Sequence, residues 1–453
     1  MASTAAEQPS GTPPPTSVAR GIPWVAAAAA AIALPFLVLI AGRQPATGDL
    51  LWNFSKGLGF GALAMAGLQF ALTARFRPMT RPFGIDIVYF FHRYLALGAV
   101  GLMLGHFGIL WLWYEDALGK LNPLEARWEL TAGRFALLCF VALVVSSEFR
   151  KRLNLAYGAW RWLHVGLAVA GFGAAVAHVL GVGHFTATPG SRALWLGVTL
   201  GWVGILVWVR LVVPARLAAN PWRVSAVNEE RGGAVSLTLS PQRNGLPPWK
   251  PGQFAWLTLG TSPFGLGEHP FTIASPPERA PDVTMTVKPL GGFSARLQEV
   301  RPGARAFLHG PYGAFSIDNE PDADGFVMIA GGIGITPMIA NLRSMRERGD
   351  RRPAVLVYAN PDWDSVAFRE ELDDLQRTLR LKVVHVLEKA PQGWQGETGM
   401  VTGELLERHV GAETHAWPHF LCGPPPMVQG VKDGLLALGV PLRHVDSEIF
   451  DMV

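Results

Sequence analysis

The sequence predicts a membrane protein in three parts: a bundle of six transmembrane helices (all-α), an antiparallel β-barrel, and an α/β domain with a Rossmann-like sheet. Six apolar stretches between residues 24 and 213 are long enough to span a bilayer. Beyond residue 221, short alternating strands are separated by Gly and Pro, and beyond residue 325 strands alternate with amphipathic helices. The expected parts are a disordered tail over 1–22, a membrane domain over 23–215, a barrel over 220–321 and an α/β domain over 322–453.

The apolar stretches come first in the chain. They cover roughly residues 24–42, 51–74, 87–113, 131–148, 160–181 and 192–213. The residues ahead of them are small, polar and Pro-rich, which is typical of a disordered tail. The first stretch resembles a signal peptide, but its length and the five stretches that follow favour an uncleaved helix.

Basic residues mark the loops expected to face the cytoplasm. They cluster after the second stretch, after the fourth and after the sixth (Arg75, Arg77, Arg81; Arg150, Lys151, Arg152; Arg210, Arg216, Arg223). The loop after the third stretch is richer in acids (Glu115, Asp116, Glu125, Glu129). The positive-inside rule therefore predicts a multi-pass protein of the inner (plasma) membrane with its soluble C-terminal half in the cytoplasm.

Composition excludes several functions. The net charge is only +4, so no general affinity for nucleic acid follows. The two cysteines, Cys139 and Cys422, supply neither an iron–sulfur ligand set nor a disulfide framework.

Two of the apolar stretches each carry a pair of histidines 14 residues apart: His92 with His106, and His164 with His178. Fourteen residues advance a helix by about 1400°, close to four full turns, and by about 21 Å. Both histidines of a pair therefore lie on one helix face, near opposite leaflets. Two such helices facing each other would bind two b-type haems through paired imidazoles. The alternative is four polar side chains hydrogen-bonded between helices, but identical spacing in two stretches favours haem.

Orientation assigns the two predicted haems. Both stretches start on the cytoplasmic side, so His92 and His164 would hold an inner haem, and His106 and His178 an outer one. Arg93 and Arg161 lie beside the inner ligands. Two interpretations of these arginines remain: pairing with haem propionates, or interfacial arginines whose charged ends reach toward water.

Two motifs stand out in the barrel region. HPFTIAS covers residues 269–275, and KPLGGFSARL covers 288–297. The second places Gly291, Gly292 and Ser294 at the start of a predicted short helix, where free amides favour an anion such as a pyrophosphate.

Two further motifs lie in the α/β region, each between a strand and a helix. AGGIGITPMIANLRSM (330–345) supplies a Gly-rich turn of the kind that lets backbone amides approach a dinucleotide pyrophosphate. LCGPPPMVQGV (421–431) is predicted to form a turn at the carboxyl edge of the sheet, where it would also place the Cys422 thiol. The position of Cys422 beside Gly423 and Pro424 favours a role near the nicotinamide over that of a small buried hydrophobe.

These residues give the chain a resemblance. From residue 24 to 453 it resembles the ferric reductase/NADPH oxidase group, and its soluble half resembles the ferredoxin–NADP reductase superfamily. The resemblance implies FAD, two haem b groups and NADPH or NADH as cofactors.

The resemblance also implies roles for individual residues. The haem ligands are His92, His106, His164 and His178. The flavin contacts are His269, Pro270, Phe271 and Thr272, with Lys288, Gly291, Gly292, Phe293 and Ser294 at the diphosphate. The nicotinamide-dinucleotide turn is Gly331, Gly332, Gly334, Thr336 and Pro337, and the CGP motif is Cys422, Gly423 and Pro424. The residues nearest the reacting atoms are Cys422, Thr272 and Phe450.

By resemblance the chain is an NAD(P)H oxidase or ferric reductase-type flavocytochrome b. It would move electrons from cytosolic NAD(P)H through FAD and two haems to O₂, giving superoxide, or to a ferric chelate on the opposite side of the membrane. An alternative is an electron-donating subunit for a periplasmic redox protein. A cytochrome scaffold without cofactor binding in its soluble half is disfavoured by the intact glycine turns.

Two departures from the group leave questions open. NADPH-preferring relatives often carry an arginine after the second strand of the dinucleotide domain, where this chain has Asn360, with Arg369 the nearest downstream basic residue. Superoxide-producing members tend to place a second polar or basic group beside the outer haem. Here Leu110 stands four residues past His106, and Lys56 lies in the outer part of the second stretch. The nucleotide preference and the terminal acceptor therefore stay open.

Overall fold

The computed structural model describes residues 17–41, 49–183 and 186–449, with the side chains of 21–33, 49–77, 87–183 and 186–448. Two compact units divide the chain. The first combines residues up to 144 with 168–202, and the second combines 145–167 with everything from 203 onward. Most of the tail predicted over 1–22 lies outside the described residues, and the first helix begins at Ser17.

Helices dominate the first part of the chain. In order they are α1 (Ser17–Ala41), α2 (Leu50–Thr73), α3 (Arg77–Trp113), the short α4 (Glu115–Leu118), α5 (Trp128–Glu148), α6 (Tyr157–Val182), α7 (Pro189–Val207) and α8 (Val213–Ala219). A π-helical stretch, Trp208–Val212, joins α7 to α8.

The prediction of six membrane spans is confirmed for four. Each predicted stretch overlaps a helix. Within the described residues, the helices long and apolar enough to cross a membrane are Ile87–Trp113, Trp128–Glu148, Tyr157–Val182 and Pro189–Ala219. In α1 only the shorter stretch Gly21–Ala33 qualifies as an apolar helix among the described residues.

Helix α2 falls outside that set for a physical reason. It carries Lys56, Gln69 and several glycines, which lower its hydropathy. It also contributes Phe60, Leu63 and Ala66 to the buried core of the first unit, where they pack with apolar side chains of α3, α5, α6 and α7. A helix surrounded by other helices needs a smaller lipid-facing apolar surface than one at the edge of a bundle.

The first sheet is antiparallel. Its strands are β1 (Trp222–Glu229), β2 (Val235–Pro241), β3 (Phe254–Leu259), β4 (His269–Thr272), β5 (Val283–Val287) and β6 (Arg305–Tyr312), in the spatial order β4-β3-β6-β1-β2-β5. The chain just beyond β4 closes the sheet on itself, because the amide of Ala274 donates to the carbonyl oxygen of Thr284 in β5 at 2.8 Å. Side chains such as Leu237, Leu257 and Met285 fill the interior. A helix of five residues, α9 (Gly292–Arg296), follows β5.

The second sheet is parallel. Its strands are β7 (Phe326–Gly331), β8 (Ala354–Asp362), β9 (Leu381–Lys389), β10 (Glu397–Thr398), β11 (His419–Gly423) and β12 (Val445–Ile449), in the order β10-β9-β8-β7-β11-β12. The helices are α10 (Ile335–Arg348), α11 (Arg369–Thr378), α12 (Gly403–His409) and α13 (Pro425–Ala437). Helices α10 and α11 cover one face, while α12 and α13 cover the other. Every residue of β7 is buried, as expected for a strand covered on both faces.

The strand order places a switch point between β7 and β11. From β7 the chain moves to one side through β8 and β9, and then crosses to β11 and β12 on the other side. Open α/β sheets bind ligands in the crevice at the carboxyl ends of the strands at such a point. The predicted antiparallel sheet followed by an α/β domain is confirmed.

Candidate cofactor sites

The first candidate site is a cavity of about 300 Å³ in the helical unit, which both His106 and His178 line. Its walls are mainly apolar side chains of α2, α3, α5 and α6, including Phe60, Leu63 and Met103. The structure therefore brings together the two histidines predicted to hold the outer haem.

Hydrogen bonds orient both imidazoles of this cavity. The Nδ1 atom of His106 lies 2.9 Å from the carbonyl oxygen of Ser55 and 2.9 Å from its hydroxyl. The Nδ1 atom of His178 lies 2.8 Å from the carbonyl oxygen of Glu129. Donation from Nδ1 to a carbonyl leaves Nε2 with a lone pair, as iron ligation requires.

Glycines on neighbouring helices make room for the two rings. A Cβ at Gly133 would lie 2.7 Å from Nδ1 of His178, so any side chain at this position would displace the ring. A Cβ at Gly59 would lie 3.5 Å from the ring of His106. Oriented imidazoles and small residues beside them fit a bis-histidine haem.

Two cationic side chains also line the cavity. The ammonium of Lys56 lies 4.1 Å from the centre of the Trp52 ring. The guanidinium of Arg134 donates to the carbonyl oxygens of Leu118, Lys120 and Leu121, and so holds the segment between α4 and α5. Leu110 lines the same cavity.

The predicted inner ligands belong to different units. His92 lies in α3 of the first unit and His164 in the part of α6 that belongs to the second. Within the second unit, the Ser147 hydroxyl lies 3.2 Å from Nδ1 of His164. The pairing of His92 with His164 stays a prediction. No cluster of three or more potential metal ligands occurs among the described residues, and a bis-histidine haem requires only two.

The second candidate site lies on the barrel, where the HPFT motif forms strand β4. Its neighbour in the sheet is β3, with Thr272 opposite Phe254. The rings of His269 and Phe293 stack with centroids 4.1 Å apart and an interplanar angle of 8°, and Phe271 also contacts Phe293. The structure thus joins the two motifs that the sequence assigned to the flavin.

Thr272 supports this assignment. It is 3 % exposed, and its hydroxyl oxygen has no hydrogen-bond partner within the described part of the chain. A buried hydroxyl without a partner is costly, so a ligand that accepts or donates a hydrogen bond there would stabilise it. Burial, aided by the nearby charge of Arg161, lowers the pKa of His269 below its usual value, which keeps this imidazole neutral at pH 7.

The loop after β5 has the backbone expected of an anion-binding turn. Gly291 and Gly292 adopt φ angles of 112° and 54°, a region that residues with a side chain rarely occupy. The Ser294 hydroxyl donates to the carbonyl oxygen of Gly291 and accepts from the amide of Leu290, so it builds the turn itself. Lys288 is half-buried at the start of this loop.

The third candidate site is the switch point of the parallel sheet. A Cβ at Gly334 would lie 2.2 Å from the carbonyl oxygen of Cys422, and one at Gly331 would lie 2.5 Å from the sulfur of Met427. The glycines therefore allow the turn after β7 to approach the CGP segment after β11. Thr336 is buried at the start of α10, where its hydroxyl donates to the carbonyl oxygen of Ile333.

Three predicted residues need separate comment. Cys422 is fully buried among apolar side chains on the α10 face of the sheet, including Phe420 and Met338, so its role near the nicotinamide stays a prediction. Asn360 is buried at the carboxyl end of β8. Phe450 lies outside the described residues.

Comparison with known families finds a match in each of the three parts of the chain that carry a candidate site. Residues 58–175 match the family described as ferric reductase like transmembrane component. Residues 222–316 match an FAD-binding domain family, and residues 328–433 match the oxidoreductase NAD-binding domain family. The chain has the ferric reductase/NADPH oxidase architecture.

Curated proteins are similar to part of this chain. The NADH-cytochrome b5 reductase 1 of Debaryomyces hansenii is 34% identical over 166 residues, which are 36% of this chain and 58% of that protein. The same enzyme of Cryptococcus neoformans is 35% identical over 182 residues, which are 38% and 62% of the two chains. The chain thus matches about three fifths of the length of these relatives.

Solved structures also resemble part of the chain. The FAD/NAD-binding domain of nitric oxide dioxygenase from Vibrio cholerae is 22% identical, with a TM-score of 0.46 over 51% of this chain and 98% of that one. A ferredoxin NADP⁺ reductase from Neisseria gonorrhoeae, with bound FAD and NADP, is 20% identical, with a TM-score of 0.43 over 51% and 97%.

Several residues around the candidate sites were not predicted from the sequence. Ser55 contacts His106 through its carbonyl oxygen and its hydroxyl, and Glu129 contacts His178 through its carbonyl oxygen. Every residue type has a backbone carbonyl, so the sequence does not reveal such contacts. Gly133 is one of many small residues in apolar helices. The guanidinium of Arg161 lies on the loop before β4, within 2.5 Å of the carbonyl oxygen of Leu266, and neither interpretation drawn from the sequence anticipated this contact.

Proposed function

We propose that this protein transfers electrons from NADH or NADPH across a membrane, through FAD and two b-type haems, to an acceptor on the opposite side. The acceptor is O₂, giving superoxide, or a ferric chelate. The basic loops support an orientation in the inner membrane with the FAD- and NAD-binding domains in the cytoplasm.

One observation carries the proposal. His106 and His178 line one cavity, and each directs its Nδ1 to a backbone carbonyl, so that both rings keep Nε2 as a ligand atom. The same chain carries matched FAD- and NAD-binding domains. A haem in the membrane part would need a source of electrons, and the FAD- and NAD-binding domains of the same chain would supply them.

When bound, FAD takes two electrons as hydride from the nicotinamide and gives them up singly, and the haems carry single electrons across the bilayer. The chain's own residues bind and orient these groups. The turn at 331–334 and the first amides of α10 would hold the dinucleotide phosphates. His269, Phe271 and Thr272 would hold the flavin. The apolar walls of the helical cavity would keep water from the outer haem.

The test uses detergent-purified protein loaded with haem and FAD. NADH or NADPH is added without oxygen, while the haem absorbance is followed. The proposal expects reduced haem spectra with a bis-histidine shape, and haem content that falls in His106→Ala and in His178→Ala. Absence of haem binding, or haems that never reduce when the flavin does, would overturn the proposal.

The acceptor is decided in the same preparation. Air, a ferric chelate and an exported redox protein are each offered to the reduced enzyme. Superoxide formed in proportion to the NAD(P)H consumed supports the oxidase, and rapid reoxidation by ferric chelate alone supports the ferric reductase. Reoxidation only by the protein acceptor would assign the alternative, an electron-donating subunit.

A further inference from the structure

Within the second unit, one side chain of α6 holds the loop that leads into β4. The Nη1 atom of Arg161 donates to the carbonyl oxygens of Leu266 and Glu268, at 2.5 Å and 3.2 Å. The Nη2 atom donates to the carboxylate of Glu268 at 3.4 Å. The side chains of Arg161 and Glu268 are only 13% and 20% exposed. A shielded, charge-assisted contact of this kind fixes geometry better than an exposed ion pair.

The contact links a residue close to the predicted haem ligand His164 with a residue next to the predicted flavin strand β4. Arg161 precedes the predicted haem ligand His164 by three residues, or about one turn of α6. Glu268 directly precedes His269, the first residue of the predicted flavin strand. A displacement at this point would therefore move β4 relative to the helix that carries the haem ligand.

Aromatic packing extends the same contact. The ring of Tyr157, one turn before Arg161, has its centroid 6.2 Å from that of His269. The guanidinium carbon of Arg161 lies 5.6 Å from the centre of the Tyr157 ring. We refer to Tyr157, Arg161, Leu266, Glu268 and His269 as the α6–β4 junction.

We propose that Arg161 is a positioning residue that holds the flavin strand against the haem-ligating helix and so sets the rate of electron transfer from flavin to haem. This rests on the proposed function. In protein loaded with both cofactors, each electron that leaves the reduced flavin would convert one ferric iron to ferrous. One NAD(P)H therefore supplies two haem reductions, and the protons of the reduced flavin go to solvent. Because electron transfer slows steeply with distance, a loosened junction slows this step and leaves the preceding hydride transfer unchanged.

The test compares Arg161→Met, Arg161→Lys and Glu268→Gln in the full chain. Stopped-flow absorbance follows flavin reduction by NADH and haem reduction separately. For Arg161→Met we expect an unchanged rate of flavin reduction and a lower rate of haem reduction. Arg161→Lys should recover part of the rate. Glu268→Gln should lose less than Arg161→Met, because it keeps both carbonyl contacts.

A second readout does not depend on electron transfer. Limited proteolysis of the loop at 260–268, in protein purified without added cofactors, should be faster in Arg161→Met than in the unsubstituted protein. Arg279→Met is the matched control, since Arg279 forms an exposed ion pair with Glu347 in the same unit. This substitution should change neither the rate of haem reduction nor the rate of proteolysis.

The outcomes separate this proposal from the proposed function. Equal haem reduction and equal proteolysis in Arg161→Met overturn the positioning role, while reducible haems in the unsubstituted protein leave the proposed function intact. Loss of haem from Arg161→Met with unchanged proteolysis also overturns it, in favour of a propionate contact. If the unsubstituted protein has no reducible haem, the proposed function fails, and faster proteolysis would still establish the docking contact.

Discussion

The Nδ1 atom of His178 lies 2.8 Å from the carbonyl oxygen of Glu129, on a neighbouring helix. This bond fixes the rotation of the imidazole. Gly133 allows the ring to lie close to α5, since a Cβ there would lie 2.7 Å from the same nitrogen. One turn of α5 therefore determines where Nε2 points.

Gly133→Ala should displace His178 and remove the outer haem. The added methyl cannot be accommodated, because the Glu129 carbonyl holds the ring from the same side. We expect the haem content to fall from two per chain to about one, measured from the reduced haem spectrum against protein concentration.

Gly173→Ala is the matched control for that substitution. Gly173 lies on α6, the helix that carries His178, and a Cβ there would meet nothing within 4 Å. The control should keep its full haem content. Full content in Gly133→Ala as well would show that His178 does not ligate in this orientation.

Thr272→Val should weaken FAD binding. Valine has the shape of threonine and keeps the packing of β4, but it removes the buried hydroxyl that has no partner among the described residues. Loss of one hydrogen bond to a ligand corresponds to roughly tenfold weaker affinity. Titration of cofactor-free protein with FAD, followed by flavin fluorescence, measures this effect. Thr272→Ser should bind nearly as well as threonine, and equal affinity in the valine variant would remove Thr272 from the flavin site.

Local motifs and sheet topology made part of this architecture predictable. The turns at Gly331 and Cys422 each stand between a strand and a helix. Parallel strands bring such turns to one edge, so their approach follows from the order of the elements. The spacing of 14 residues from His92 to His106, and again from His164 to His178, likewise reflects helical periodicity alone.

Other features had no signal in the sequence. Arg161 and Glu268 are 107 residues apart, and no periodicity links a membrane helix to a barrel loop. The carbonyl of Glu129 is a backbone atom that any residue would supply. The sequence predicts a membrane span over 51–74 like the other five, because hydropathy alone does not show that neighbouring helices bury residues such as Phe60 and Leu63.

Asp362, the last residue of β8, should favour NADH over NADPH. Hydrogen bonds from Ser365 lower the pKa of this carboxyl, so it is ionised at neutral pH at the edge where an adenosine ribose binds in such folds. A ribose 2′-phosphate would be repelled. Arg369, the nearest downstream basic residue, already donates to the Trp363 carbonyl and pairs with Glu370.

Steady-state kinetics with both nucleotides test this preference. Asp362→Ala should reduce the ratio of kcat/KM for NADH to that for NADPH by about tenfold, mainly through KM. Asp433→Ala, which removes an exposed carboxylate on α13, should leave the ratio unchanged. An initial preference for NADPH would contradict the role given to Asp362.

Acid should destabilise the α/β domain through His419. This residue is fully buried, with Nδ1 2.8 Å from the carbonyl oxygen of Trp417, and burial lowers its pKa from 6.5 to about 4. Between these two values the unfolded chain binds a proton that the folded chain does not. The free energy of unfolding should therefore fall as the pH drops from about 6.5 toward 4, by up to about 3 kcal/mol. His419→Gln has no such proton to bind, so its unfolding midpoint in detergent should depend less on pH in this range. Above pH 6.5 the unfolding midpoints of the two proteins should depend on pH in the same way. If they do so down to pH 4 as well, His419 titrates normally in the folded protein.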